Sequence, residues 1–509
     1  MDTPVKPGWL KARLASARGQ LVGDSLVARC MRGSIVLSIG AFTVKALAFG
    51  SKMLLTRLLL PQEMGLAVMI LSLVELLEAL TEVGIKQSVI QHKDGGDPRY
   101  LSMAWWFQSV RGLGLYAVAF IAAPWICGFY FQNKPDVLGH YSTTELVWLL
   151  RVSFLVILFR GFVSPRAHVL EKTFHFGKAM AILQGGAIWG VAATVVLAIL
   201  LRNVWAIALG SVLASLFCSV LSYVLCPFVP TFVYDRDSFR SLCGFARGMF
   251  GLPVLTYIAS NTDLLVTGKL LAASAVGYYG MARVLAQTPR DLFTQIVSPV
   301  MLPAIAEKQE DSQALRQIIL RLTTITAVLL LPLLAFSMLC GRPILRLAFG
   351  LEYATVAIPF GLFCIQNVLL IQSTVLAALF FGTGQPEKHR LFVGMRAVIL
   401  VALIYPATQL YGLTGAAAAV VVACCVSLAV QVMIVRRMIH LSAPDYLAAW
   451  LPGSTLAVLP LIAVGAVKLA RPEWEWVHLI LGGSLCLITA CAGLLMLART
   501  GRLVSRLNT

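Results

Sequence analysis

Two lysines seven residues apart raise the first chemical question. In FTVKALAFGSKMLLTRLLL (42–60), Lys45 and Lys52 lie inside a run apolar enough to enter a bilayer. At 100° per residue, seven residues turn 700°, which is 20° short of two turns, so both cations share one helix face. A lysine or arginine at mid-bilayer costs roughly 2.5–3.5 kcal/mol on insertion scales, so it must face a bundle interior, water or a partner. Arg283 and Arg290 repeat the spacing in a later apolar run, with Asp291 adjacent. Arg247, Asn261 and Asp263 lie in the run before that one, and Arg111 and Arg151 in two others. Glu75, Glu78, Glu82 and Lys86 follow at steps of three, four and four, which would keep all four on one helical stripe.

Two chemistries fit this set. One is internal ion pairing that holds helices together, for instance Lys52 with Glu75 or Glu78, and Asp263 with Arg283. The other is a cationic, water-filled cavity that receives an anion. We expect Lys45, Lys52, Arg283 and Arg290 to bind an anionic cargo, with Arg247 assisting. Glu75, Glu78, Glu82 and Asp263 are expected to pair with these cations, or to gate and couple transport. Arg57, at the end of its run, reads as a side chain snorkelling to the interface.

The elements that must position these charges follow from composition. The 509 residues are 59% hydrophobic and 13% charged, with a mean hydropathy of +0.84. A soluble domain carries about a quarter charged residues, so this is a polytopic membrane protein. The apolar runs are near helix-spanning length and show no ten-residue alternation, so the fold class is all-α rather than a barrel. The net charge of +18 is explained by positively charged cytoplasmic loops and does not call for nucleic acid. Eleven cysteines without a CxxC pair, and seven dispersed histidines, give no disulfide framework and no metal site. No phosphate-binding loop, HExxH or GxSxG is present, so neither an enzyme activity nor a cofactor is expected. No small-residue cleavage site follows the first apolar run, so no cleaved signal peptide is expected.

We expect about 14 transmembrane helices, the second covering residues 62–90. With both termini in the cytoplasm, 25 of the 41 lysines and arginines fall on the cytoplasmic side, 8 outside and 8 within spans, which supports that orientation. The stretches LTRLLLPQEMGLAVM (55–69) and VTGKLLAASAVGYYG (266–280) align at an offset of 212 that puts Gly65 on Gly277. The chain then divides into a basic N-terminal segment (1–33), a six-helix lobe (34–228), a second lobe in the same orientation (241–440), a helix pair (446–498) and a basic tail (499–509). KPGWLKARLASARG, within the first segment, reads either as a basic amphipathic helix along the inner leaflet or as a basic tail. Equivalent helices of the two pseudo-symmetric lobes carry most of the intramembrane charge, so they are expected to face a shared central cavity.

Several of these stretches resemble Wzx-type polysaccharide transporters of the multidrug/oligosaccharidyl-lipid/polysaccharide exporter superfamily. TRLLLPQEMGLAVMILSLVELLEALTEVGIKQSVIQHKD is similar to that family's first two helices, and NTDLLVTGKLLAASAVGYYGMARVLAQTPRDLF to its seventh and eighth. FGLEYATVAIPF, GTGQPEKHR and LEKTFHFGK resemble it as well, the last in its lipopolysaccharide and exopolysaccharide branch. The likeness covers about residues 30–440. It implies two six-helix lobes that open alternately to either side of a bacterial inner membrane. The implied cargo is an undecaprenyl-diphosphate-linked oligosaccharide, flipped outward for surface polysaccharide synthesis. The implied partners are that lipid, the surrounding membrane, and the polymerase and glycosyltransferases acting on the same glycan. The alternative within the superfamily is a cation or drug antiporter of the MATE type, which should prefer acidic cavity residues.

Overall fold

The computed structural model describes residues 26–507, apart from 83, 133, 174, 175, 233, 234, 250 and 472. The basic segment KPGWLKARLASARG therefore lies outside the described residues. Helices overlap every expected span. The N-terminal half holds α1 (Leu26–Leu58), α2 (Pro61–Thr81), α3 (Ile85–Gln91), α4 (Pro98–Phe131), α5 (Thr143–Ser153), α6 (Leu155–Gly161), α7 (Arg166–Lys172), α8 (Phe176–Leu201) and α9 (Trp205–Leu225). A linking helix, α10 (Arg236–Met249), leads into α11 (Leu252–Leu270), α12 (Ala273–Glu307), α13 (Ser312–Leu339), α14 (Gly341–Phe349), α15 (Ala357–Gly382) and α16 (Pro386–Met438). The C-terminal pair is α17 (Leu451–Ala470) and α18 (Glu475–Leu507). Among the described residues, nine helices are long and apolar enough to cross a membrane, or ten if the bent pair Thr143–Gly161 and Arg166–Lys172 is one span. The 53 residues of α16 are two spans joined at Gly412, whose φ of 57° and ψ of −136° break the helix.

The helix ends follow local sequence. Pro61, Pro98 and Pro386 each sit in a first turn, where a missing N–H costs nothing. Ser142 and Glu145 form a reciprocal capping box that starts α5. The expected second span is shorter than the sequence suggests. α2 ends at Thr81, Glu82 turns to extended backbone, and Gly84 adopts a left-handed φ of 67°. The four-residue stripe is thus broken: Glu75 and Glu78 share α2, exposed Glu82 lies past its end, and Lys86 belongs to α3. The extended backbone of Glu82 ends α2, and the left-handed Gly84 begins α3.

Three buried clusters organise the interior. One unites α2, α4, α5 and α6 around Leu146, Leu149 and Phe154. A second unites α12, α13, α15 and α16 around Ile305, Leu376 and Phe380. The third crosses between halves, joining Leu55, Leu59 and Met64 to Tyr279, Phe349 and Phe363. At that junction α2 packs on both α11 and α12. Large apolar side chains such as Val118, Ile121 and Trp125 of α4 remain exposed, as expected of a surface that meets acyl chains. α17 and α18 pack on α13, where Gly453 and Gly493 face Ala327 and Val328. Small residues there let helix backbones approach, which is how apolar helices gain contact in lipid.

The halves are also tied by hydrogen bonds at the end of the bundle that holds the α1–α2 turn. Arg57 donates to Leu347 O at 3.2 Å, and Lys269, its equivalent at the offset of 212, donates to Phe129 O. Lys134 donates to Leu271 O, and Ala273 N donates to Asp136 at 2.6 Å. Arg57 therefore does more than reach the interface: it fastens one half to the other. Buried Glu63 accepts from the Tyr141 hydroxyl and from Val204 N, both at 2.7 Å, and fixes the same end within the first half.

Candidate functional site

The expected cations separate into paired and unpaired groups. Arg283 on α12 and Asp263 on α11 are both buried and form a forked pair, Nη1 reaching Oδ1 at 2.9 Å and Oδ2 at 3.1 Å. Asn261 Oδ1 at 3.0 Å and Ser260 O accept from Nη2, and the Tyr279 hydroxyl donates to Asp263 at 3.1 Å. Every oxygen of this buried carboxylate has a donor, as a buried charge requires. Lys45 on α1 pairs with Asp291 on α12 at 2.5 Å, with both side chains part-exposed. Ion pairing thus describes Arg283 and Lys45. The pair proposed for Asp263 is present, whereas Lys52 does not reach Glu75 or Glu78.

Lys52 instead lines a cavity of about 280 Å³ between the halves, together with Ser72, Glu75, Asn261, Arg283 and Gln287. Its position on α1 follows from the seven-residue spacing: Lys45 meets α12 and Lys52 opens on the same side. Among the described residues neither Lys52 nor Glu75 has a hydrogen bond or ion pair to the protein. Glu75 is exposed into this space, one turn from Glu78, which pairs with Arg160 of α6. Glu78 is therefore a structural carboxylate inside the first half. Arg111 donates to Thr81 O at 2.8 Å and caps the end of α2. Arg151 lies 4.1 Å from the Phe120 ring and 5.1 Å from that of Trp148, a local cation–π stack. Arg247 belongs to α10, and its side chain lies outside those described.

Arg290 is one face-repeat below Arg283 but opens into a different space. A cavity of about 390 Å³ inside the second half is lined by Arg290, Thr256, Thr294, Ser373, His389 and Arg396, among others. Neither arginine meets a carboxylate within ion-pair distance among the described residues. Sequence reasoning missed Arg396 and His389. Arg396 falls ten residues into an apolar helix, a position that could have flagged it.

The motif LEKTFHFGK has a structural role in the described part. Glu171 pairs with Lys86 at 2.8 Å, and Lys172 donates to His92 O at 2.5 Å. Together they clamp α7 to the break after α2. Glu352 in FGLEYATVAIPF accepts from the Tyr278 hydroxyl at 3.1 Å. In GTGQPEKHR, Gly384 takes a left-handed φ of 71°, which lets Gln385 N close back on Phe380 O at 2.7 Å.

Comparison with known proteins bears on this arrangement. The succinoglycan biosynthesis transport protein ExoT of Rhizobium meliloti (strain 1021) is 24% identical over 373 residues, 72% of this chain and 71% of that protein. The lipopolysaccharide biosynthesis protein WzxC of Escherichia coli (strain K12) is 22% identical over 401 residues, 77% of each. Among solved structures, the lipid II flippase MurJ in an inward closed conformation matches with a TM-score of 0.69 at 14% identity, covering 90% of this chain and 98% of that one. An inward-facing MATE multidrug transporter of the MOP superfamily gives 0.55 at 17% identity, covering 84% and 98%. These structural likenesses establish the fold. The family model described as polysaccharide biosynthesis protein matches residues 54–358, more than half the sequence, and the chain belongs to that family as a multi-pass membrane protein.

Proposed function

We propose that the protein is a flippase that carries a polyprenyl-diphosphate-linked oligosaccharide from the cytoplasmic to the periplasmic leaflet of a bacterial inner membrane. Both termini face the cytoplasm, and the tied end of the bundle faces outward. The observation that carries this reading is Lys52: an ammonium without a partner among the described residues, in a cavity between two halves that are fastened at one end. A diphosphate cannot enter hydrocarbon unaided. Lys52 meets it in place of water, and Arg283, preset by Asp263, adds a rigid donor face. Lys45, exchanging Asp291 for phosphate, brings a third cation to the same side of α1. The sugars occupy hydrated space, and the polyprenyl tail stays in lipid. The charge set performs no bond chemistry; it binds and releases.

The membrane potential adds a driving force. Moving a negative charge outward across an inside-negative membrane releases roughly 2.3 kcal/mol per charge per 100 mV. The test is reconstitution with a fluorescent polyprenyl-diphosphate oligosaccharide. Wild type should flip it, and Lys52→Gln should slow flipping by about tenfold or more, the loss of one charge-assisted contact. Full flipping by Lys52→Gln would overturn the assignment.

Glu75 favours a second reading, a cation or proton antiporter of the MATE type, because it places an unpaired carboxylate in the same cavity. Substrate-stimulated proton or sodium uptake that Glu75→Gln abolishes, without flipping of the lipid, would select it.

A further inference from the structure

A second cavity lies inside the second half. Arg290 projects from α12, and His389 and Arg396 from the first part of α16. His389 and Arg396 are seven residues apart, so they share one helix face. Nε of Arg396 and Nδ1 of His389 are buried and have no hydrogen-bond partner among the described residues. A buried polar atom left unpaired is costly, and both of these side chains line the cavity.

The remaining polar groups narrow the ligand further. Thr294 donates to Arg290 O at 2.9 Å, Thr374 to Leu370 O at 2.9 Å, Ser373 to Gln431 Oε1 at 2.7 Å and Ser427 to Phe392 O at 3.0 Å. Their protons are spent inside the protein. The donors left for a ligand are the two guanidinium groups, the imidazole and the hydroxyl of Thr256, which has no partner among the described residues. Guanidinium groups have no acceptor capacity and match carboxylate or phosphate in forked geometry. Among the described residues no aspartate or glutamate lines the cavity to neutralise them. A water molecule takes about 30 Å³ of liquid, so about 390 Å³ has room for roughly a dozen waters, enough for a sugar acid as well as a bare ion.

We propose that Arg290, Arg396 and His389 form an oxyanion site, separate from the Lys52 cavity, that takes a carboxylate or phosphate group. Two sources share that chemistry: an acidic group on the glycan being moved, and free inorganic phosphate. The site is argued from its own donors and does not depend on the flippase reading.

The test is equilibrium binding to the purified full-length protein in detergent, where no transport is required. Inorganic phosphate and glucuronate are the anionic probes, and glucose is the neutral control. Wild type should bind at least one anion saturably and glucose not at all. Arg396→Gln should weaken that binding by about tenfold or more, equivalent to about 1.4 kcal/mol. Arg342→Gln, which removes an exposed charge elsewhere, should leave it unchanged. Arg396→Lys keeps the charge and loses the fork, so it should fall between wild type and Arg396→Gln, and it guards against a variant that fails to fold. Tighter glucuronate assigns the site to acidic glycan, and tighter phosphate assigns it to the free ion; both keep the site. Absence of saturable anion binding at millimolar concentration, or equal binding by wild type and a folded Arg396→Gln, would overturn it. Loss of flipping with anion binding intact would reject the transport reading alone.

Discussion

Gly65 and Gly277 meet across the junction of the two halves. A Cβ added to Gly65 would stand 1.7 Å from Ala273 O, and one added to Gly277 would stand 2.2 Å from Pro61 O. Each added Cβ would also lie 2.9 Å from the other glycine's backbone nitrogen. Pro61 and Ala273, like the glycines, are equivalent at the offset of 212. The contact is therefore isologous: the same surface of each repeat meets itself about a pseudo-two-fold axis.

This contact should not tolerate a side chain. Gly65→Ala or Gly277→Ala forces the α2 and α12 backbones apart and should cost about 1–3 kcal/mol, typical of overpacking. A lowered unfolding midpoint, together with faster thiol labelling of a cysteine placed at the tied end, would show it. Wild-type stability in either variant would contradict the close approach.

Breaking the buried pair should be costly in an asymmetric way. Asp263→Ala leaves the Arg283 guanidinium buried without its carboxylate, and should destabilise by about 3–5 kcal/mol. Replacing both Asp263 and Arg283 by leucine and methionine should restore much of that stability while removing transport. Thermal unfolding of the single and double variants separates these outcomes.

Lys45 and Asp291 join α1 to α12 through part-exposed groups, so their pair is worth at most about 1 kcal/mol of stability. Lys45→Ala should leave the melting midpoint nearly unchanged and slow transport by removing a cation from the phosphate path. The exchange Lys45→Asp with Asp291→Lys should keep the tie and lose transport, because it moves the positive charge to the other helix. Flipping assays on both variants check this.

Stability should fall in mild acid. His168 lies in α7, bent 57° from the preceding helices, and burial with Lys86 nearby lowers its imidazole from about 6.5 to about 4. Between those values the unfolded chain binds the proton and the folded one does not, so acid favours unfolding. The contribution is complete above about pH 6.5 and is lost as pH falls toward about 4. His168→Gln should flatten the dependence of the unfolding midpoint on pH over that window.

Composition and hydropathy were sufficient for the helical membrane fold, because backbone in lipid must be satisfied within a helix or a closed barrel, and apolar runs of helix-spanning length without alternation leave the helix. The repeat was legible too, since Gly65 and Gly277 are constrained by the same close approach. Spacing also put Lys45 and Lys52 on one face, as helix geometry requires. It did not reveal that the helix stops at Thr81, because the turn to extended backbone at Glu82 is set by packing and leaves no mark in an apolar run.

What only the tertiary structure decided is which charges have partners. Asp263 finds Arg283 on the next helix, and Asp291 finds Lys45 some 246 residues away. Lys52 and Arg290, of the same types and spacing, are left facing two different cavities. Helical periodicity fixes the direction of a side chain on its own helix but carries no information on what the neighbouring helix presents. Pairing depends on the packing of all the helices together, and that is where Arg396 and His389 joined a site that the linear sequence had left scattered.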